Sequence, residues 1–286
     1  MEALHVAGLP GVKANEKGKL VTTAAGLVFN GKSGAVTVPA GQILAVEVGN
    51  QRVELWGMKG RLLRMAIPQG GGLVAATFMH HRVDMLTVEF EDAKGGYHAA
   101  VFYAGREEMQ QALQQLATAT ANGRQRRSNR CEAGKLRPDT VRVLEPGWND
   151  VEVPAAYRAL VYEDLVKQLA VVKGISQVYR DGEQDADGAC PAYTVELTAT
   201  GYKQGSQVAR ASTGPVGLFV GTTQLKFDAR ITSAVGGLDY RAELRATVRG
   251  ETESIKVADG VAKKLAKEFA KSQKQYRRPN VVTSGR

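Results

Sequence analysis

Cysteine is nearly absent from this 286-residue chain. Cys131 and Cys190 stand alone, with no CxxC and no histidine at metal-ligand spacing. That excludes a disulfide-stapled miniature scaffold and a zinc-finger type of site. Spacing leaves open whether the two cysteines pair or stay free thiols. Long apolar runs are also missing. The best, Gly72 to Met79 and Val216 to Val220, are strand-sized, well short of the ~20 residues of a membrane-spanning helix. The first 25 residues lack a basic segment followed by an apolar one, so no signal peptide is legible. The expectation is a cytoplasmic chain as written, or an envelope or periplasmic one where a leader has been removed. No GxSxG, HExxH or Cys–His–Asn signature occurs, and aromatics make up only 6%. With no RNP-type motif and Tyr276 alone near the end, no stacking platform for RNA is legible.

What is present suits folded domains. Hydrophobic residues reach 43% and charged residues 23%, too apolar for a disordered chain and long enough for two domains. The net charge of +9 is uneven. Counted by segment, residues 1–120 carry +1, 121–145 carry +4, 146–262 carry −3 and 263–286 carry +7. The basic excess therefore sits in a linker (GRQRRSNR) and a C-terminal tail, and not on a globular face. Such segments keep a protein soluble, and they can also attract anionic lipid or nucleic acid.

From Leu20 to Tyr103 the chain reads as an antiparallel meander. Strands are expected at Leu27–Asn30, Ala35–Val38, Ile43–Val48 and Val53–Trp56, with a hairpin at Gly49-Asn50. A second hairpin is expected at Gly57–Gly60 returning through Leu62–Ile67, then a strand at Leu73–Phe78. The clearest pair is Met85–Phe90 with Tyr97–Tyr103. The period then changes: Met109, Ala112, Leu113, Leu116 and Ala117 mark one amphipathic helix over 106–119. His5 falls in a segment expected to be mobile.

This order, with GLVF near Leu27 and LTVEFEDAKGGYHAAVFY from Leu86, resembles the bacterial pleckstrin-homology-like proteins over roughly residues 18–121. The lipid-binding version of that fold uses several Lys and Arg around its first hairpin loop. Here Asn30 to Gly34 offers Lys32 alone, so the resemblance implies protein or peptide binding in place of phosphoinositide recognition.

Beyond the linker, Tyr157–Val172 has a helical stripe (Leu160, Val161, Leu165, Val166, Leu169) stopped by Gly174. Strands are expected at Ile175–Tyr179, Tyr193–Thr200, Gln224–Ser233 and Tyr240–Val248, the last two joined at Gly236-Gly237, and a helix at Ile255–Ser272. Each long strand is half apolar and half charged, so one face is buried and the other wet. The segments VPAAYRALVYEDLVKQL, VYRDG and GVAKKLAKEFAK give residues 140–275 a resemblance to a family of uncharacterised bacterial domains found on envelope lipoproteins. That resemblance implies an assembly or binding module and brings no catalytic residues.

Candidate chemistry is thin. Asp181, Glu183, Asp185 and Asp187 have the spacing of a calcium loop, but Ala186 and Ala192 replace the required Gly and Glu, so an exposed polar loop is expected. Gly214–Gly221 lacks the Lys of a phosphate loop. His80 and His81 point to opposite faces of a strand, and His98 on a later strand is the remaining partner for either. The sharpest face separation lies in the last helix. Ala258, Val261, Ala262, Leu265 and Phe269 line one side, and Lys263, Lys264, Lys267, Lys271 and Lys274 the other, followed by Arg277 and Arg278. Those seven cations are the candidate contact to an anionic surface.

The sequence thus predicts an α+β chain: an antiparallel, pleckstrin-homology-like sheet or barrel capped by one helix (1–121), a basic linker (122–145), an α+β envelope-type domain with an antiparallel sheet covered by two helices (146–275) and a flexible basic tail (276–286). No cofactor, metal or catalytic residue is expected. The expected function is a non-enzymatic binding or scaffold protein with a protein partner, free to form homo-oligomers and not a nucleic-acid binder. The alternatives are a peripheral binder of anionic membrane and an enzyme without a legible motif.

Overall fold

The computed structural model describes residues 1–54, 80–117, 135–148, 151–185, 187–205, 221–234, 236–249 and 254–277. It shows an α+β protein with two sheets and three helices among these residues. The first sheet is antiparallel and has seven strands: β1 Glu2–Ala7, β2 Glu16–Thr23, β3 Gly26–Gly31, β4 Gly34–Pro39, β5 Ile43–Glu54, β6 His80–Glu91 and β7 Tyr97–Ala104. Their spatial order is β4-β3-β2-β1-β7-β6-β5. The segment expected to be mobile is therefore the central strand, with Leu4 opposite Lys17 on one side and Tyr103 on the other. Just beyond it, Gly8 adopts φ +98, and a Cβ there would sit 2.1 Å from the Ala99 carbonyl oxygen. Only glycine lets the chain leave the sheet at that point.

One turn signal misleads. Gly49-Asn50 forms no hairpin, because β5 runs straight through it, pairing Gly49 with Met85 and Asn50 with Asp84. A continuous ladder along β6 satisfies more backbone groups than a two-residue turn would. The strands and hairpin expected between 55 and 79 lie outside the described residues. The β6–β7 hairpin forms where expected. Helix α1, Arg106–Ala117, buries Met109, Ala112 and Leu116 against Leu20, Leu27, Phe29 and Phe102.

The second sheet holds β8 Leu136–Val143, β9 Gln177–Tyr179, β10 Cys190–Lys203, β11 Thr223–Ser233 and β12 Asp239–Val248, in the order β12-β11-β10-β8-β9. It is mixed and not the antiparallel sheet expected: β8, a strand from the segment read as linker, runs parallel to both β9 and β10, with the helix Ala155–Ala170 making the crossover from β8 to β9. The second half of the expected basic linker is thus a strand, and its first half lies outside the described residues. The alternation of Thr140, Val141, Arg142 and Val143 is what carries it into the sheet, with all four buried. Gly236 and Gly237 turn the β11–β12 hairpin at φ +77 and +78. Cys190 is disulfide-bonded; Cys131 lies outside the described residues.

Helices α2, Ala155–Ala170, and α3, Val257–Arg277, pack on each other and on one face of this sheet. Helix α2 also packs on β5, β6 and β7 of the first sheet. It is buried nearly all round, including Tyr157, Leu160, Val161, Tyr162 and Leu165, which is why its one-sided stripe understates its role. Val6, Met85, Tyr97, Ala99 and Val101 of the first sheet join Val143, Val195, Phe227 and Phe269 of the second unit in one apolar cluster through α2.

Candidate functional site

Two regions outside the cores gather charge: the seam where α2 meets both sheets, and the wet face of the second sheet. At the seam, Arg180 follows β9 and grips Glu163 of α2 with two hydrogen bonds of 2.9 and 2.7 Å. Glu163 also accepts from the Ala99 N–H at 3.0 Å, and Arg180 donates to the Tyr97 carbonyl at 2.9 Å. Both side chains are mostly buried, and a bidentate geometry satisfies the fork of the guanidinium.

The loop that follows is not the exposed polar loop expected from its composition. Asp181 is buried, accepting the Glu145 N–H at 3.1 Å. Its carbonyl takes the Tyr97 N–H, and its own N–H donates to the Tyr162 hydroxyl, both at 2.9 Å. Glu183 accepts the Arg180 N–H, while Asp185 takes the Tyr179 hydroxyl and Arg137. The carboxylates that mimic a calcium loop in spacing are thus spent on Glu145, Arg180, Tyr179 and Arg137 of the second unit, while the Asp181 backbone and the Arg180 side chain make the tie to the first sheet. Among the described residues, no cluster of three His, Cys, Asp or Glu could hold a metal ion.

The register separates the histidines. His98 pairs with Phe90, and His80 stands at the other end of the same strand, about 33 Å away at ~3.3 Å per residue. They cannot share a metal or a substrate. His98 stacks on Phe90 and lies 3.2 Å from Asp92, and burial, then the Arg180 charge, lowers its pKa. His5 is buried as well. Its Nδ1–H donates to the Lys13 carbonyl and its Nε2 accepts from the Leu9 N–H, folding the chain after β1.

Beside the seam, a cleft of about 620 Å³ opens between that folded loop, α2 and the start of α3. Val6, Leu160 and Val166 line it together with Asp164 and Asp259. Burial, then the Asp259 charge, pushes the Asp164 carboxyl up to about 6. Asp259 itself pairs with Lys263 at 2.8 Å and accepts from Gln168 at 3.3 Å.

The lysine face of α3 is more self-contained than its periodicity suggests. Its apolar partners, Ala258, Val261, Ala262, Leu265 and Phe269, are fully buried. Of the cations, Lys263 pairs with Asp259, Lys264 donates to the Arg245 carbonyl and Lys271 pairs with Glu268 at 3.3 Å. Lys267 and Lys274 are exposed. Arg277 ends the helix, and Arg278 and the Gly214–Val220 stretch lie outside the described residues. Among the described residues no helix is long and apolar enough to cross a membrane.

The wet face of the second sheet is formed by β10, β11 and β12. Glu196, Lys226, Asp228, Arg230, Arg241, Glu243 and Arg245 are all exposed on it. Both helices occupy the opposite face, and no described element covers this one. Arg230 clasps Asp239 at 2.9 and 3.0 Å, which holds the Asp239 carboxyl below its usual range. A shallow hollow of about 380 Å³ lies between Glu196, Arg230, Arg241 and Glu243. The alternation of these strands is legible in the sequence; the pairing that sets their charges side by side needs the register.

The class the fold defines is thus an α+β protein with two sheets bridged by one helix. No protein-family model and no curated protein matches the chain. Similar solved structures are a PelC dodecamer from Paraburkholderia phytofirmans, the hypothetical protein CT253 from Chlamydia trachomatis and lipoprotein GNA1162 from Neisseria meningitidis. The first shares 17% identity over 46% of this chain and 86% of that chain, with a TM-score of 0.29. The second shares 9% over 49% and 98%, at 0.32. The third shares 11% over 47% and 99%, at 0.29. Likeness at this level carries no conclusion about this chain.

Proposed function

We propose that the chain is a non-enzymatic binding or scaffold protein that makes protein–protein contacts at the bacterial cell envelope. The observation that carries the reading is the uncovered, charged face of β10–β12, set on a frame whose other sheet faces are tied together by α2. An antiparallel sheet carries one solvated face as a rule; what supports a binding role here is the patterned charge on this face, which no described element covers. The non-enzymatic part is supported by Arg180, Glu163 and Asp181 of the seam, which are committed to one another and to backbone. The meander order of the first sheet with α1 against it supports a pleckstrin-homology-like first unit. From α2 onward the second unit follows the helix–strands–helix order of the envelope-domain resemblance, with β8 ahead of it, and that order supports the resemblance.

The second reading, contact with an anionic membrane, rests on exposed Lys267 and Lys274. The internal partners of Lys263, Lys264 and Lys271 favour the first. The test is capture from native-source lysate by the full chain beside an Asp228→Lys/Glu243→Lys variant, with flotation on acidic vesicles in parallel. A specific protein lost with the variant supports the scaffold reading. Flotation that disappears with Lys267→Glu/Lys274→Glu, with no protein captured, overturns it.

A further inference from the structure

The pairing of β11 with β12 places like charges directly opposite each other. Lys226 faces Arg245, Asp228 faces Glu243 and Arg230 faces Arg241, while Thr232 faces Asp239. Like charges across a ladder disfavour the fold. Asp239 eases the Arg230–Arg241 rung, bonding Arg230 and lying 3.7 Å from Arg241, so the Lys226–Arg245 and Asp228–Glu243 rungs are the ones that oppose the stability of the sheet. Lys226, Asp228 and Glu243 make no ion pair and no side-chain hydrogen bond among the described residues. The rungs alternate in sign along the strands: positive, negative, positive, negative.

That sequence of signs has a symmetry. Reversed end to end, it becomes its own opposite. A two-fold axis parallel to the rungs, lying between the Asp228–Glu243 and Arg230–Arg241 rungs, therefore sets every positive rung over a negative one. Under that operation β11 lies over β11 and β12 over β12. Glu243 meets Arg241 of the second copy, Asp228 meets Arg230 and Arg245 meets Asp239.

Resting on the reading that this face binds protein, we infer that its occupant is a second copy of the same chain, docked face to face in a two-fold dimer. A surface of one sign, such as an anionic membrane or a nucleic acid, would be repelled by the Asp228–Glu243 rung in the middle of the patch. An isologous partner sets an opposite charge over every residue of the two middle rungs and Asp239 over Arg245, and leaves Lys226 over Thr232. Three strands about 4.8 Å apart give a narrow footprint, below that of a permanent dimer, so the association is weak and charge-driven. It therefore weakens with salt, which screens exposed pairs.

The test is sedimentation of the full chain at low and at ~0.5 M salt, with Glu243→Lys and Arg241→Glu as single variants. Both positions are exposed on the sheet, and circular dichroism checks that each variant keeps its fold. The expected result is a dimer at low salt that dissociates at high salt. Each variant alone is monomeric at the concentration where the natural chain is dimeric. An equimolar mixture of the two regains the dimer, because the reversed charges then face each other. A natural chain that stays monomeric at low salt overturns the inference, as does a dimer indifferent to either reversal or a mixture that stays monomeric. If the natural chain is monomeric while lysate capture still depends on Asp228 and Glu243, the second copy is wrong and the binding reading stands. If capture yields nothing and the mixture dimerises, the face serves the second copy alone.

Discussion

Single residues at the seam set the balance between stability and purpose. Asp164 is a carboxyl raised from 3.8 to about 6 by its surroundings in the cleft. Between those values the folded chain holds a proton that the unfolded chain has released, so stability falls as pH rises through that window. Above it the whole penalty is in force. Asp164→Asn is therefore expected to raise the unfolding free energy at pH 7 by about 1–3 kcal/mol, with the gain gone at about pH 3.5, below both values. Urea titrations at the two pH values check it. Arg180 and Glu163 act in the opposite sense. Removing one partner leaves the other charge buried, so Arg180→Met alone is expected to cost about 3–5 kcal/mol. Arg180→Met with Glu163→Leu costs much less, because no lone charge remains. A double-mutant cycle by denaturation measures the difference.

Elements show where the sequence speaks and where it is silent. The stripe of α3 is legible in full: Ala258, Val261, Ala262, Leu265 and Phe269 repeat at helical spacing and are all buried. Phe269→Ala is expected to cost about 3–5 kcal/mol, and Lys267→Ala to change stability by less than about 0.5 kcal/mol, in the same thermal or urea assay. The β6–β7 hairpin and β11 are legible for a similar reason, since one face of each is apolar and the other is not. Three things are hidden. Strand β1 is central in its sheet and buries even His5, so it shows little alternation. Strand β8 hides in a basic segment because Arg142 goes inward, its guanidinium donating to the Glu183 carbonyl. And Gly49-Asn50 has turn chemistry that a long ladder overrides. At Gly49 a Cβ would meet nothing within 4 Å, so Gly49→Thr is expected to be neutral or mildly stabilising, whereas Gly8→Ala is strongly destabilising. A true turn at Gly49 would reverse the first outcome.

At the scale of the whole molecule, α2 makes two sheets into one frame. A helix that packs on both sheets cannot be assigned to either from its own sequence, and the long-range partners of Arg180 and Asp181 are equally invisible there. The same holds for the candidate face. Each of its strands alternates plainly, yet only the register shows that the charges match in sign across β11 and β12. Because the apolar cluster is continuous through α2, denaturant unfolding is expected to give one transition by probes placed in either sheet.

The most direct measurement is photo-crosslinking in native-source lysate from a reactive residue placed at position 243 on the sheet face, beside one at position 267 on the lysine face of α3. A binding face on β10–β12 predicts protein adducts from 243, whether a second copy or another chain, and none specific from 267. Adducts from 267 alone, to lipid or to any protein, would contradict it.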